Sequence, residues 1–86
     1  MNIFYSKVAV KMINAMDKPT KQRIRNGILG LVEVPPKGDI KNMQGIEGMY
    51  RLRIGKYRIL YEYKKDDSDN MALYIVDVGS RGDIYK

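Results

Sequence analysis

The stretch YRLRIGKYRILYEY, residues 50–63, constrains the fold more than any other part of this 86-residue chain. Apolar and polar side chains alternate with period 2, so Tyr50, Leu52 and Ile54 share one face and Arg51 and Arg53 the other. In the second half Tyr57, Ile59, Tyr61 and Tyr63 share a face, with Arg58, Leu60 and Glu62 opposite. Gly55-Lys56 suits a two-residue hairpin turn with Gly at its first central position. Pairing 54 with 57 and 52 with 59 then brings both apolar faces to one side. The same register sets Arg53 directly across from Arg58, with Arg51 further along that face. Like charges facing each other across a strand pair are destabilising, so this hairpin carries a cost that needs a reason.

The rest of the chain supplies layers for the hairpin to cover. NIFYS is a short opening strand. Val8, Met12, Ile13 and Met16 fall at helical spacing and predict one amphipathic helix ending near Asp17. DKPTKQ is a helix start, with Pro19 in the first turn and Asp17 available as its cap. Ile24, Ile28, Leu31 and Val32 form the apolar stripe of the second helix. Gly27 and Gly30 weaken that helix and predict close packing on the first. VPPKGD stops the helix, and the segment through NMQGIEG, with three glycines, reads as a loop. KKDDSDN is a second turn, and MALYIVDV is a third strand, apolar on both faces and therefore central. The expected architecture is one domain, 1–86, of the α+β class in two layers. An N-terminal strand and an α-helical hairpin pack on one face of a mainly antiparallel four-stranded sheet, in the order β-α-α-β-β-β.

Composition removes several kinds of chemistry. With neither Cys nor His in the chain, disulfides, thiolates and the commonest metal ligand and general base are excluded, leaving Tyr, Asp, Glu or Lys for proton transfer. Asp66, Asp67, Asp69 and Asn70 fail the spacing of a calcium loop, so turn chemistry accounts for them. No metal or cofactor is expected. No apolar run is long enough for a bilayer, and neither a membrane role nor a signal peptide is expected; the expected location is the cytoplasm. Sixteen Lys and Arg against ten Asp and Glu give a net charge of +6, which favours a polyanion or an acidic protein as partner.

On the hairpin Arg51, Arg53, Lys56 and Arg58 face one carboxylate, Glu62. Such a row serves either to keep the outer face of a sheet wet or to hold an anion, and the arginine fork binds phosphate bidentately. If the last strand is central, positions 77, 79 and 81 share a face and Val76 and Val78 the other, which puts Asp77 and Arg81 on the arginine side.

The segments MYRLRIGKYRILYEY and LYIVDVGSRGDIYK, with NMQG and the helical hairpin before them, resemble the RelE family of bacterial toxins within the RelE/ParE superfamily. The most specific parts are the Tyr-basic-x-basic strand, the Tyr-Arg-x-x-Tyr strand and the Val-Gly-x-Arg-x-x-x-Tyr tail. The resemblance implies a toxin that enters the 30S ribosomal A site and cuts mRNA without a metal, by attack of the 2′-hydroxyl on the adjacent phosphate, and that a cognate antitoxin neutralises. It implies catalytic roles for Arg58, Arg81 and Tyr85, and binding of RNA phosphate by Arg51, Arg53 and Lys56. Arg51 and Arg53 stand where well-studied members carry lysine, and Ser80 where many carry histidine. Arginine keeps the charge but cannot act as a base. The alternative the superfamily implies is a ParE-like inhibitor of DNA gyrase that catalyses nothing.

Overall fold

A computed structural model describes residues 1–80. The chain runs β1 (Asn2–Tyr5), α1 (Lys7–Asn14), α2 (Lys18–Gly30), β2 (Asp39–Asn42), β3 (Met49–Ile54), β4 (Tyr57–Lys65) and β5 (Met71–Ser80). The strands form one sheet in the order β1-β5-β4-β3-β2. β1 runs parallel to β5 and every other pair is antiparallel. The α+β, two-layer architecture is as the sequence implies, but the sheet is mixed and, among the described residues, has five strands. The additional one, β2, is four residues with Ile40 as its only large apolar side chain, too short to read by period; it exists because the edge of β3 is there to pair with.

The hairpin register is the predicted one, with Ile54 opposite Tyr57, Leu52 opposite Ile59 and Arg53 opposite Arg58. Gly55 takes φ +57°, the conformation that the first central position of such a turn demands. The inner face joins the core of Ala9, Ile24, Ile28, Leu31, Leu52, Ile59, Tyr61, Leu73, Ile75 and Val78, each at most 1% exposed. At roughly 1.5–3 kcal/mol for each fully buried large apolar side chain, this cluster supplies the main driving force for folding.

β5 is central, as expected, but it is not a regular strand. Leu60 pairs with Asp77 while Tyr61 pairs with Ile75, which leaves Val76 as a bulge. Without the bulge Leu73, Ile75 and Asp77 would all point into the core. The extra residue reverses the alternation, so Leu73, Ile75 and Val78 face inward and Asp77 and Gly79 face outward with Leu60 and Arg58. Val76, expected beside Val78, is therefore outside the core cluster. Ser6 secures the bulge: its hydroxyl donates to the Val76 carbonyl at 2.7 Å, its N–H donates to the Ile75 carbonyl at 3.0 Å, and its Oγ accepts the Ala9 N–H to cap α1.

The helices lie on one face, α1 across β5 and α2 against β3. α1 turns the buried Ala9 and the partly buried Met12 and Ile13 to the core, and Met16, just past its end, packs there too. Val8 is 54% exposed, displaced by the small Ala9 that hydropathy alone underrates. Asp17 occupies the N-cap of α2 without a side-chain cap hydrogen bond. Gly27 does not serve contact with α1: a Cβ there would run into the Ile54 side chain of β3, and Gly30 lies under the Lys37 carbonyl. Gly38, before β2, combines φ +130° with a Cβ position 2.6 Å from Leu52 Cδ1. Because Leu52 is fixed in the core, Gly38→Ala is expected to cost about 1–3 kcal/mol, seen as a lower urea midpoint with an unchanged slope.

Candidate functional site

The outer face of the sheet, away from the helices, is built in rows across the strands. One row reads Asp39, Arg53, Arg58, Gly79 and the next Lys41, Arg51, Leu60, Asp77. The face therefore brings together Arg51, Arg53 and Arg58, contributed by adjacent strands whose inner residues Leu52 and Ile59 are locked in the core. Gly79, opposite Arg58 on β5, places no side chain on that flank of the row. The tail residues Arg81 and Tyr85 lie outside the described residues.

Two features of this face escape the hairpin reading. Asp39 of β2 sits directly across from Arg53, and Asp77 is one row from Arg58, so Glu62 is not the only carboxylate. β2 also adds a second like-charge pair, Lys41 opposite Arg51. Asp39 and Lys41 had no signal in the sequence, because they depend on a strand with one large apolar residue, whereas Asp77 takes the place on the arginine side expected of it. The Nε of Arg51 is buried and has no hydrogen-bond partner among the described residues. A buried donor left unsatisfied costs about 1–3 kcal/mol, and an anion bound against it would recover that.

Lys56 is placed differently from the arginines. It sits in the exposed turn with its ammonium 5.5 Å from the Tyr57 ring centre, at the end of the row rather than on it. Arg23 of α2 joins it at the tip, with Nη2 3.1 Å from where a Cβ on Gly55 would stand. This helix residue is a cation at the hairpin tip that only tertiary packing reveals. The helical layer is more basic than the sheet: residues 6–30 hold Lys7, Lys11, Lys18, Lys21, Arg23 and Arg25 against Asp17 alone.

The tyrosines of the hairpin belong to the other side. Tyr50 stacks on Tyr61 at 5.6 Å between ring centres, and Tyr63 meets Tyr61 edge-on at 5.7 Å. The Tyr63 hydroxyl donates to the Leu31 carbonyl at 2.7 Å. Burial pushes the Tyr61 and Tyr63 phenols above their ordinary value, with smaller contributions from neighbouring tyrosines. They lie on the inner face, away from the arginines, and are not bases for chemistry there. The folded chain holds these protons at a pH where the unfolded chain, with phenols near 10, releases them. Stability is expected to hold up to about pH 10 and to fall as pH rises further, which melting scans between about pH 8 and 11 would check.

Asp66 organises the β4–β5 turn. Its Oδ1 accepts the N–H groups of Ser68 and Asn70, and Asp69 takes φ +64°. These are turn roles, as expected, and no group of acidic side chains suited to a metal occurs among the described residues. No helix among them is long and apolar enough to cross a membrane.

Comparison with known proteins supplies the context for this surface. The family model for the ParE toxin of the type II toxin–antitoxin system parDE matches residues 3–85. Among solved structures, the RelB–RelE antitoxin–toxin complex of Methanococcus jannaschii contains a chain 27% identical, aligned over 95% of this chain and 94% of its own with a TM-score of 0.70. A chain of the RelE–RelB complex of Pyrococcus horikoshii is 24% identical over 95% and 96%, with a TM-score of 0.69. One from the toxin–antitoxin complex RelBE2 of Mycobacterium tuberculosis is 21% identical over 93% and 96%, with a TM-score of 0.67. The last two establish likeness of fold alone. No curated protein sequence matches the chain.

Proposed function

The chain belongs to the ParE toxin family of type II toxin–antitoxin systems, and from that premise we propose that this toxin is a metal-independent endoribonuclease that cuts mRNA in the ribosomal A site. The observation that carries the reading is the outer sheet face, where Arg53 opposes Arg58 and Lys41 opposes Arg51. Two like-charge pairs on adjacent rows oppose folding and favour a bound polyanion. Dependence on the ribosome rests on the resemblance of the hairpin and tail segments to RelE toxins. A cytoplasmic site of action goes with it.

In the reaction the 2′-oxygen forms a bond to the adjacent phosphorus as the bond from phosphorus to the 5′-oxygen breaks. The 2′-hydroxyl loses a proton and the leaving oxygen gains one, giving a 2′,3′-cyclic phosphate and a 5′-hydroxyl. Charge gathers on the nonbridging oxygens, where guanidiniums fixed on a rigid sheet need little reorganisation. Arg58 and Arg53 take that role, and Arg51 with Lys41 holds the neighbouring phosphate. Tyr85 accepts or orients the 2′-hydroxyl proton, and Arg81 gives its charge to the leaving oxygen. Neither is an efficient proton carrier at neutral pH, so alignment and electrostatics carry most of the rate.

A cognate antitoxin is the protein partner expected of a toxin of this class. The cleft between α1 and α2, about 190 Å³ and lined by Tyr5, Val10, Ile13, Asn14 and Arg25, has a basic surround suited to an acidic amphipathic segment. A second reading, inhibition of DNA gyrase without catalysis, is favoured by the family match itself. Expression in cells separates the two. Immediate arrest of protein synthesis with cut transcripts supports the nuclease, and induction of the DNA-damage response with intact transcripts supports the gyrase inhibitor.

A further inference from the structure

At the β2 end of the arginine face the strand leads into a loop, 43–48, that is built rather than loose. The Met43 N–H donates to the Met49 carbonyl at 2.8 Å, and two turns follow, closed by Ile46 N–H to the Met43 carbonyl and Met49 N–H to the Ile46 carbonyl. Gly45 at φ +82° and Gly48 at φ +80° hold the third position of each turn, where a type II turn needs a positive φ. Neither glycine is hemmed in by neighbours, so both are there for backbone shape. The loop stands beside a cleft of about 280 Å³ lined by Lys41, Asn42, Met43, Gln44 and Arg51. It lies just below the roughly 300–1,000 Å³ of drug-sized sites, a size for one nucleotide.

We propose that this cleft is a subsite for one base of the bound RNA, read by the side-chain amide of Gln44. The proposal rests on the reading of the sheet face as an RNA surface and adds what that surface lacks, a means of telling bases apart. Three observations support it. The wall of the cleft is Arg51, whose Nε is buried without a hydrogen-bond partner among the described residues, and whose cross-strand neighbour is the cation Lys41; together they suit a phosphate at the cleft's edge. No carboxylate lines the cleft, in contrast to the Asp39 and Asp77 positions elsewhere on the face. Its remaining lining is two amides and a thioether, and amides match base edges because donor and acceptor lie side by side. Single-stranded RNA offers those edges freely, and a Gln or Asn amide pairs best with adenine N6 and N7. Met43 brings a polarisable sulfur to the same lining.

The test uses the full toxin, 15N-labelled, titrated with two 2′-O-methyl RNA trinucleotides that differ only in a central adenine or uracil; the methyl group blocks the attacking hydroxyl. The adenine probe is expected to bind about tenfold more tightly and to shift the Asn42 and Gln44 side-chain amide signals. Gln44→Ala is expected to remove that preference while leaving the uracil affinity unchanged. Equal binding of both probes with Gln44→Ala without effect overturns the subsite and leaves the RNA-binding face standing. Failure of both probes to bind anywhere overturns the RNA reading and the subsite with it.

Discussion

Arg58→Ala is expected to lower mRNA cleavage on programmed ribosomes by about 10²–10³-fold, the loss that follows removal of one preorganised group from developing oxyanion charge. The same variant is expected to melt at or above the temperature of the parent chain. Arg58 faces Arg53 across the hairpin, and relieving a like-charge pair returns up to about 1 kcal/mol, or roughly 4–8 °C in a domain of this size. The two effects have opposite signs because the like-charge row of Arg53 and Arg58 is also the row proposed to hold the phosphate. A solvated face with no anionic ligand predicts instead unchanged cleavage, and a cation needed for the fold predicts a lower melting temperature. Cleavage assays and thermal scans on one preparation separate these three outcomes.

Tyr61→Ala is expected to cost about 3–5 kcal/mol, in the range of deleting a buried aromatic ring. Tyr61 is 1% exposed, sits on β4 between Tyr50 of β3 and Ile75 of β5, and is the ring that both Tyr50 and Tyr63 pack against. A domain of this length has only about 4–13 kcal/mol in total, so the variant is expected to lose a large share of its stability, with weaker antitoxin binding and cleavage as the unfolded fraction rises. Tyr61→Phe keeps the ring and is the control. Chemical denaturation of the pair measures the difference, and a Tyr61→Ala cost under about 1 kcal/mol would mean that the aromatic cluster is not the keystone of the core.

Much of the fold was legible because its strongest signals are periodic. The hairpin register followed from alternation plus one glycine turn, and the helix positions followed from Ile24, Ile28, Met12 and Ile13. What stayed hidden has a physical reason in each instance. β2 is too short for a period to register, yet it brings Asp39 and Lys41 to the face. The bulge at Val76 cannot be read from hydropathy, since both neighbours of the slip are acceptable strand residues; only the need to bury Ile75 and Val78 together while keeping Asp77 out demands it. The place of Gly27 in the helix suggests helix–helix contact, but the side chain it admits is Ile54 of the sheet. Arg23 reaches the hairpin tip only through tertiary packing. Of the site, the three arginines were visible as a pairing conflict in one hairpin. Arg81 and Tyr85 rest on the tail's resemblance to RelE toxins and lie outside the described residues.

The question that matters most is whether the paired cations of the sheet face act on RNA, and the most direct measurement is the fate of mRNA on ribosomes programmed with a codon in the A site and mixed with purified toxin in the presence of a chelator of free divalent ions too weak to dissociate the ribosome. The expected result is a cut within the A-site codon that leaves a 2′,3′-cyclic phosphate and a 5′-hydroxyl, lost with Arg58→Ala and with added antitoxin. Intact mRNA under conditions where the same toxin blocks DNA gyrase would contradict it.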